Sequence, residues 1–191
     1  MKNDELIWFL FDFDDVLTSG YNRGNSDIPI FIKVLTLRKN KKKTFQEACL
    51  KFGLRPIDIA IKYSKATKPN LKLIEKLKVL DSLKRQGEQI AIGIASNNSD
   101  YLIYQWLKYY KLGHYFDKIL TPENLGWIWK PERQYFHNLM VMLGVNPEQI
   151  VFFDDDVQAV DIALKLDINS YLYRRHGDFE EIEQYLRKKK K

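Results

Sequence analysis

The hydrophobic positions of the chain form short apolar runs that alternate with longer segments of helical periodicity. The clearest runs lie at 6–12 (LIWFLFD), 90–95 (IAIGIA) and 150–153 (IVFF), and weaker ones lie at 118–121 and 170–173. Amphipathic helical patterns separate them and cover residues 70–86, 99–111, 131–143, 157–166 and 178–188. This alternation predicts an α/β protein in which helices pack against a parallel sheet.

Residues 20–68 interrupt this alternation because they contain no clear strand. They carry three helical patterns, at 28–37, 44–52 and 56–66. A stretch of this length is too long for an ordinary loop, so we expect a structured insertion directly after the first strand. The predicted division is a core of residues 1–19 and 69–191 with a helical insertion of residues 20–68, which either packs as an appendage or forms a lid.

The charge and composition narrow the class of protein. The 191 residues carry a net charge of +6, and the basic residues concentrate in the runs 38–43 and 187–191. We expect the first run to be a solvated loop between helices rather than a loop that attracts anionic substrates. We expect the second run to be a frayed end rather than an RNA, membrane or targeting element, so a nucleic-acid partner is the less favoured alternative. We expect no membrane partner and a soluble, cytoplasmic protein, since no apolar run approaches about 20 residues and no signal-peptide pattern is present. The single cysteine, Cys49, excludes a disulfide framework.

Polar residues follow the three clearest strands at their carboxyl ends. Asp12 and Asp14 follow the first, Ser96 and Asn97 the second, and Asp154 and Asp155 the third, and Lys130 precedes the helix before the third strand. In parallel sheets this edge is where ligands bind, so we expect these side chains to form one site. Clustered carboxylates repel one another unless a cation joins them, and oxygen ligands at an open site favour Mg²⁺.

The same residues suit transfer of a phosphoryl group from a small phosphorylated substrate. Asp12 is a candidate carboxylate nucleophile that would form an aspartyl-phosphate. Asp14 is a candidate acid that protonates the leaving oxygen and later activates water. Ser96, the backbone amide that follows it and Lys130 are candidates for holding the phosphoryl oxygens as charge develops.

These motifs, in this order, resemble those of the haloacid dehalogenase superfamily over roughly residues 6–175. The matching segments are FDFDDVLTSG after the first strand, IGIASN at the second, Lys130-Pro131, and VFFDDD at the third. The resemblance implies a Rossmann-like parallel sheet with helices on both faces, and a small α-helical cap at the insertion. It implies nucleophile and acid/base roles for Asp12 and Asp14, phosphate binding by Ser96 and Asn97, and charge stabilisation by Lys130. It also implies Mg²⁺ held by Asp12, the Asp14 carbonyl, Asp154 and Asp155.

The resemblance favours a Mg²⁺-dependent phosphomonoester hydrolase, because the dehalogenases of the superfamily lack an acid at the position of Asp14. The alternatives are a phosphomutase, a nucleic-acid-end phosphatase and a non-catalytic binding protein. Two residues depart from the family pattern: Asp15 replaces a frequent glycine, and Ala159 replaces a frequent asparagine. Trp127 and Trp129 precede Lys130, and we expect them to pack against the cap rather than to stack on a base or sugar.

Overall fold

A five-stranded sheet lies at the centre of the protein in a computed structural model that describes residues 6–19, 28–174 and 179–189. In chain order the strands are β1 (Ile7–Phe11), β2 (Thr18–Ser19), β3 (Lys68–Pro69), β4 (Ile90–Ala95), β5 (Lys118–Leu120), β6 (Ile150–Asp154) and β7 (Asn169–Leu172). The sheet has the order β5-β4-β1-β6-β7, and every neighbouring pair in it is parallel. The prediction of a parallel sheet is confirmed, including its two weaker strands.

Helices connect the strands at the predicted places. They are α1 (Ile28–Lys41), α2 (Phe45–Lys51), α3 (Pro56–Ala66), α4 (Leu71–Arg85), α5 (Asp100–Tyr110), α6 (Arg133–Leu143), α7 (Val157–Leu164) and α8 (Glu180–Lys189). Part of the predicted insertion (residues 20–27), the predicted start of the last helix (residue 178) and the end of the basic tail (residues 190–191) lie outside the described residues. Within the described ranges, no helix is both long enough and apolar enough to cross a membrane.

The central strand β1 is buried on both sides, and its side chains alternate between two hydrophobic clusters. Ile7, Phe9 and Phe11 join the cluster that also contains residues of α4, α5 and α8. Trp8 and Leu10 join the second cluster, which contains residues of α6 and α7. Helices therefore cover both faces of the sheet, as predicted.

Helices α1, α2 and α3 join the hydrophobic cluster on the face of the sheet that carries Phe9, where α2 and α3 contact α5. Val34, Phe45 and Tyr63, one from each helix, are buried in the same cluster as Trp106 of α5. Strands β2 and β3 pair antiparallel and so bring the two ends of the connecting segment together. The helices of this segment and the sheet thus share one continuous hydrophobic core.

The basic run at 38–43 departs from its prediction as a solvated loop. Helix α1 continues to Lys41, so Arg38 lies on the helix, and its side chain is only 1% exposed. The guanidinium is buried because the Glu123 carboxylate and two backbone carbonyls after β4 accept its hydrogen bonds. The prediction is therefore wrong for Arg38, whose partners are distant in sequence and invisible to a local pattern.

Candidate active site

Three carboxylates meet at the carboxyl edge of the sheet, because β1 and β6 are neighbouring parallel strands. Asp12 directly follows β1, Asp154 is the last residue of β6, and Asp155 follows it. Asp12, Asp154 and Asp155 each offer one carboxylate oxygen, and these oxygens lie within 4.8 Å of one another. Asp12 and Asp154 are buried, and Asp155 is exposed. The structure therefore brings together three of the four predicted metal ligands through their side chains. The Asp14 carboxylate is outside this group of described residues.

Lys130 donates hydrogen bonds to two carboxylates of the acid cluster. Its Nζ donates hydrogen bonds to Asp12 Oδ1 at 2.8 Å, to Asp154 Oδ2 at 2.5 Å and to the carbonyl oxygen of Ala95 at 2.9 Å. Burial alone lowers the pKa of Lys130, but the carboxylates of Asp12 and Asp154 more than offset this, so the pKa lies above its ordinary value. Lys130 is thus a buried cation that orients the Asp12 carboxylate and neutralises part of the charge.

The cluster still carries more negative than positive charge. Partial desolvation of its carboxylate inside the acid cluster, followed by the charges of Asp12 and Asp15, raises the pKa of Asp155 to about 6 although the residue as a whole is exposed. Burial also raises the pKa of Asp154 above its ordinary range, although Lys130 opposes that shift. A divalent cation would relieve this repulsion, and an all-oxygen donor set suits Mg²⁺. The residues present therefore fit the predicted ion.

Asp14 lies in a different environment, although it is only two residues from Asp12. One of its carboxylate oxygens accepts a hydrogen bond from the Tyr63 hydroxyl, and the other accepts one from Asn98 Nδ2 at 2.9 Å. Burial and the charge of Asp12 raise the pKa of Asp14 to about 6, against the opposing effect of these two donors. Sequence reasoning missed Tyr63 and Asn98, since neither belongs to a motif with Asp14.

The loop after β4 is held by its own side chains. Asn97 Nδ2 donates to the carbonyl oxygen of Lys130 at 3.0 Å, and Asn97 Oδ1 accepts from the Lys130 backbone N–H at 2.8 Å. The buried Ser96 Oγ accepts from the Asn98 backbone N–H at 3.1 Å. Among the residues described, no acceptor contacts the backbone N–H of Asn97. Ser96, Asn97 and Lys130, which were predicted to act together, therefore form one connected unit.

The two departures from the family pattern have simple structural consequences. Asp15 has φ of 57°, in the left-handed region that favours glycine and that aspartate tolerates better than most residues. Its backbone N–H donates to Thr18 Oγ1 at 3.3 Å. Ala159 is fully buried in the second hydrophobic cluster, so this position contributes no polar atom to the site.

A buried ion pair ties α1 to the same loop. Arg38 donates from Nε and Nη2 to the two carboxylate oxygens of Glu123, and its Nη1 and Nη2 each donate at 2.9 Å to the carbonyls of Asn97 and Asn98. The guanidinium carbon also lies 4.7 Å from the centroid of the Trp129 ring. The prediction that Trp129 packs against the inserted helices is confirmed.

The fold and the site define an α/β protein with a parallel sheet and a cluster of carboxylates at its carboxyl edge. Residues 9–172 match the haloacid dehalogenase-like hydrolase family. That match covers most of the chain. The chain belongs to this family.

Proteins similar to this chain include haloacid dehalogenases and a family enzyme that was solved with magnesium and inorganic phosphate. The chain is 31% identical over 104 residues to (S)-2-haloacid dehalogenase 4A of Burkholderia cepacia, a match that covers 54% of this chain and only 44% of that protein. A haloacid dehalogenase (HAD) family enzyme from Bacteroides thetaiotaomicron, solved with magnesium and inorganic phosphate, is 19% identical with a TM-score of 0.66, and the match covers 93% of this chain and 99% of that one. L-2-haloacid dehalogenase from Xanthobacter autotrophicus, with chloropropionic acid covalently bound, is 16% identical with a TM-score of 0.64. That match covers 91% of this chain and 79% of that one. The two structural matches show a shared fold.

Proposed function

We propose that this chain is a Mg²⁺-dependent phosphomonoester hydrolase that acts through an aspartyl-phosphate on Asp12. The observation that carries the proposal is the separation of the two acids of the first motif. Asp12 lies in the acid cluster and is bound by Lys130, whereas Asp14 is held apart by Tyr63 and Asn98. Two carboxylates in different environments can take different roles, one as nucleophile and one as acid and base.

The reaction proceeds in two steps. A carboxylate oxygen of Asp12 forms a bond to phosphorus while the bond from phosphorus to the leaving oxygen breaks, and Asp14 gives its proton to that oxygen. Asp14, now ionised, then takes a proton from water as the water oxygen attacks the phosphorus. The bond from phosphorus to Asp12 breaks, and inorganic phosphate is released.

The surrounding residues stabilise the charge that develops on the phosphoryl oxygens. We assign the Ser96 hydroxyl and the free backbone N–H of Asn97 to binding these oxygens. All three N–H groups of Lys130 already have acceptors, so Lys130 contributes its charge and its hold on Asp12. Asp12, Asp154, Asp155 and the backbone carbonyl of Asp14 would hold Mg²⁺, which when bound supplies further positive charge at the phosphoryl group.

We also propose that residues 20–68 act as a small cap on a core of residues 1–19 and 69–191. Its support is that α3 supplies Tyr63 to Asp14 and α1 supplies Arg38 to the loop after β4. A cap that contacts the acid and the phosphate loop lies where the leaving group of a small phosphorylated substrate would lie.

Hydrolysis of a carbon–halogen bond is the second candidate function, and the 31% identity to a haloacid dehalogenase favours it. Such a reaction needs the Asp12 nucleophile but no acid to protonate a halide. The two hydrogen bonds that position Asp14 have no purpose in that reaction. They favour phosphoryl transfer, in which an alkoxide leaving group requires a proton.

Two product assays on the same preparation distinguish these functions. We expect inorganic phosphate to be released from an aryl phosphate with Mg²⁺, and the release to stop with EDTA or in Asp12→Asn. We expect no chloride from (S)-2-chloropropionate. Chloride release without phosphate release would overturn the proposal in favour of the dehalogenase.

A further inference from the structure

A cavity of about 350 Å³ lies between α1 and the loop after β4, beside the acid of the first motif. Its walls include Asp14 and Asn98 from the sheet side, Trp129, and Arg38, Lys39 and Asn40 from α1. This volume is at the lower end of the range for small-molecule sites, so the part of a substrate beyond its phosphoryl group is small. The charges that line this cavity indicate what that part is.

Among the residues that the structure describes, two cations line the cavity, and one of them, Lys39, is available to a ligand. Four N–H groups of Arg38 are used by Glu123 and by two backbone carbonyls, so its positive charge is already neutralised. Lys39, the next residue on α1, is exposed and forms no ion pair with any residue in the described ranges. Its Nζ lies 5.7 Å from the centroid of the Trp129 ring, a cation–π distance that holds the ammonium at the cavity wall.

We infer that Lys39 binds a second anionic group on the leaving group of the substrate. The substrates are then small phosphomonoesters that also carry a carboxylate or a second phosphate, an inference that rests on the proposed hydrolase function. Within the described ranges Asp14 is the one acid that lines the cavity, and its two carboxylate oxygens accept hydrogen bonds from Tyr63 and Asn98. A distal anion at Lys39 therefore meets an exposed ammonium group, and the hydrogen bonds from Tyr63 and Asn98 occupy the Asp14 carboxylate.

Substrate pairs that differ only in the distal group test this inference. One pair is 3-phosphoglycerate and glycerol 3-phosphate, and the second is glucose 1,6-bisphosphate and glucose 6-phosphate; the first tests a carboxylate and the second a phosphate. The measured quantity is the ratio of kcat/KM within each pair. We expect a ratio above one in at least one pair, falling by up to about fivefold in Lys39→Gln, since an ion pair with an exposed lysine is lost.

The control is Lys33→Gln, because Lys33 is exposed on the same helix but does not line the cavity. This variant should keep the wild-type ratio, and added salt should lower the wild-type ratio more than that of Lys39→Gln. A wild-type ratio of one or less in both pairs, or one that Lys39→Gln leaves unchanged, overturns the role of Lys39 while the hydrolase stands. No phosphate from any substrate, including an aryl phosphate, overturns both, so the two failures are distinguishable.

Discussion

A buried ion pair between Arg38 and Glu123 joins α1 to the loop after β5. Among the contacts of α1, we expect the loss of this ion pair to lower the free energy of unfolding most. Both side chains are almost fully buried, with 1% and 8% exposed. Arg38→Met keeps the aliphatic stem but removes the guanidinium. It leaves the Glu123 carboxylate buried without its cation and removes the donors to two backbone carbonyls.

The expected loss in the free energy of unfolding is about 3–5 kcal/mol, the usual cost of removing one partner from a buried pair. The matched control is Arg55→Met, since Arg55 pairs with Asp58 at 3.4 Å while both side chains stay largely exposed, at 77% and 51%. Water screens the Arg55–Asp58 pair, so its loss should lower the free energy of unfolding by less than about 1 kcal/mol. Both arginines lie in the segment between β2 and β3, so the two variants differ mainly in how deeply the lost ion pair is buried.

Equilibrium urea unfolding, followed by tryptophan fluorescence and circular dichroism, measures both variants. The double variant Arg38→Met/Glu123→Leu should be more stable than Arg38→Met alone, because it no longer buries an unpaired carboxylate. If Arg38→Met does not fold, the double variant can still be compared with the wild type. The reasoning is refuted if Arg38→Met costs no more than Arg55→Met, or if the double variant is less stable than the single one.

Three further changes test separate contacts. Tyr63→Phe removes one donor to Asp14, so steady-state kinetics should show kcat about tenfold lower with little change in KM; equal kcat would remove Tyr63 from any positioning role. Thr67→Val leaves the buried Trp106 N–H without its acceptor at 2.9 Å and should lower the free energy of unfolding by about 1–3 kcal/mol in urea unfolding; no loss would contradict this contact. Deletion of 187–191 should leave the rate on an aryl phosphate within about twofold, and a loss confined to nucleic-acid substrates would instead support an end-processing role.

The sheet and the acid cluster were accessible to sequence reasoning because their signals are local. Each strand is a short apolar run, and the aspartates at the carboxyl ends of β1 and β6 stand at the ends of those runs in the sequence. Parallel pairing then places Asp12 near Asp154 and Asp155 without further information. The helices were also predictable, although their ends were not: α1 runs to Lys41 because its last turns have buried partners.

The contacts between the inserted helices and the loops at the carboxyl edge of the sheet were not predictable. Arg38 and Glu123 are 85 residues apart, and Tyr63 and Asp14 are 49 residues apart. A run of basic residues is usually solvated, and only the fold supplies the carboxylate that buries one of them. The orientation of an inserted helix depends on such tertiary pairs, which leave no periodic signal in the chain.

The proposed mechanism requires that Asp12 becomes phosphorylated and that Asp14 completes the reaction. Asp14→Asn keeps the nucleophile and removes the base that activates water, a loss of about 10²- to 10⁴-fold in turnover. An activated aryl phosphate needs little protonation of its leaving group, so this variant should form the aspartyl-phosphate and then stall.

Mass spectrometry of Asp14→Asn, quenched in acid after incubation with Mg²⁺ and an aryl phosphate, tests this directly. We predict one added phosphoryl group on the peptide that contains Asp12, absent from the double variant Asp12→Asn/Asp14→Asn treated in the same way. Phosphate release by Asp12→Asn at the wild-type rate, or an adduct on a peptide without Asp12, would contradict the mechanism.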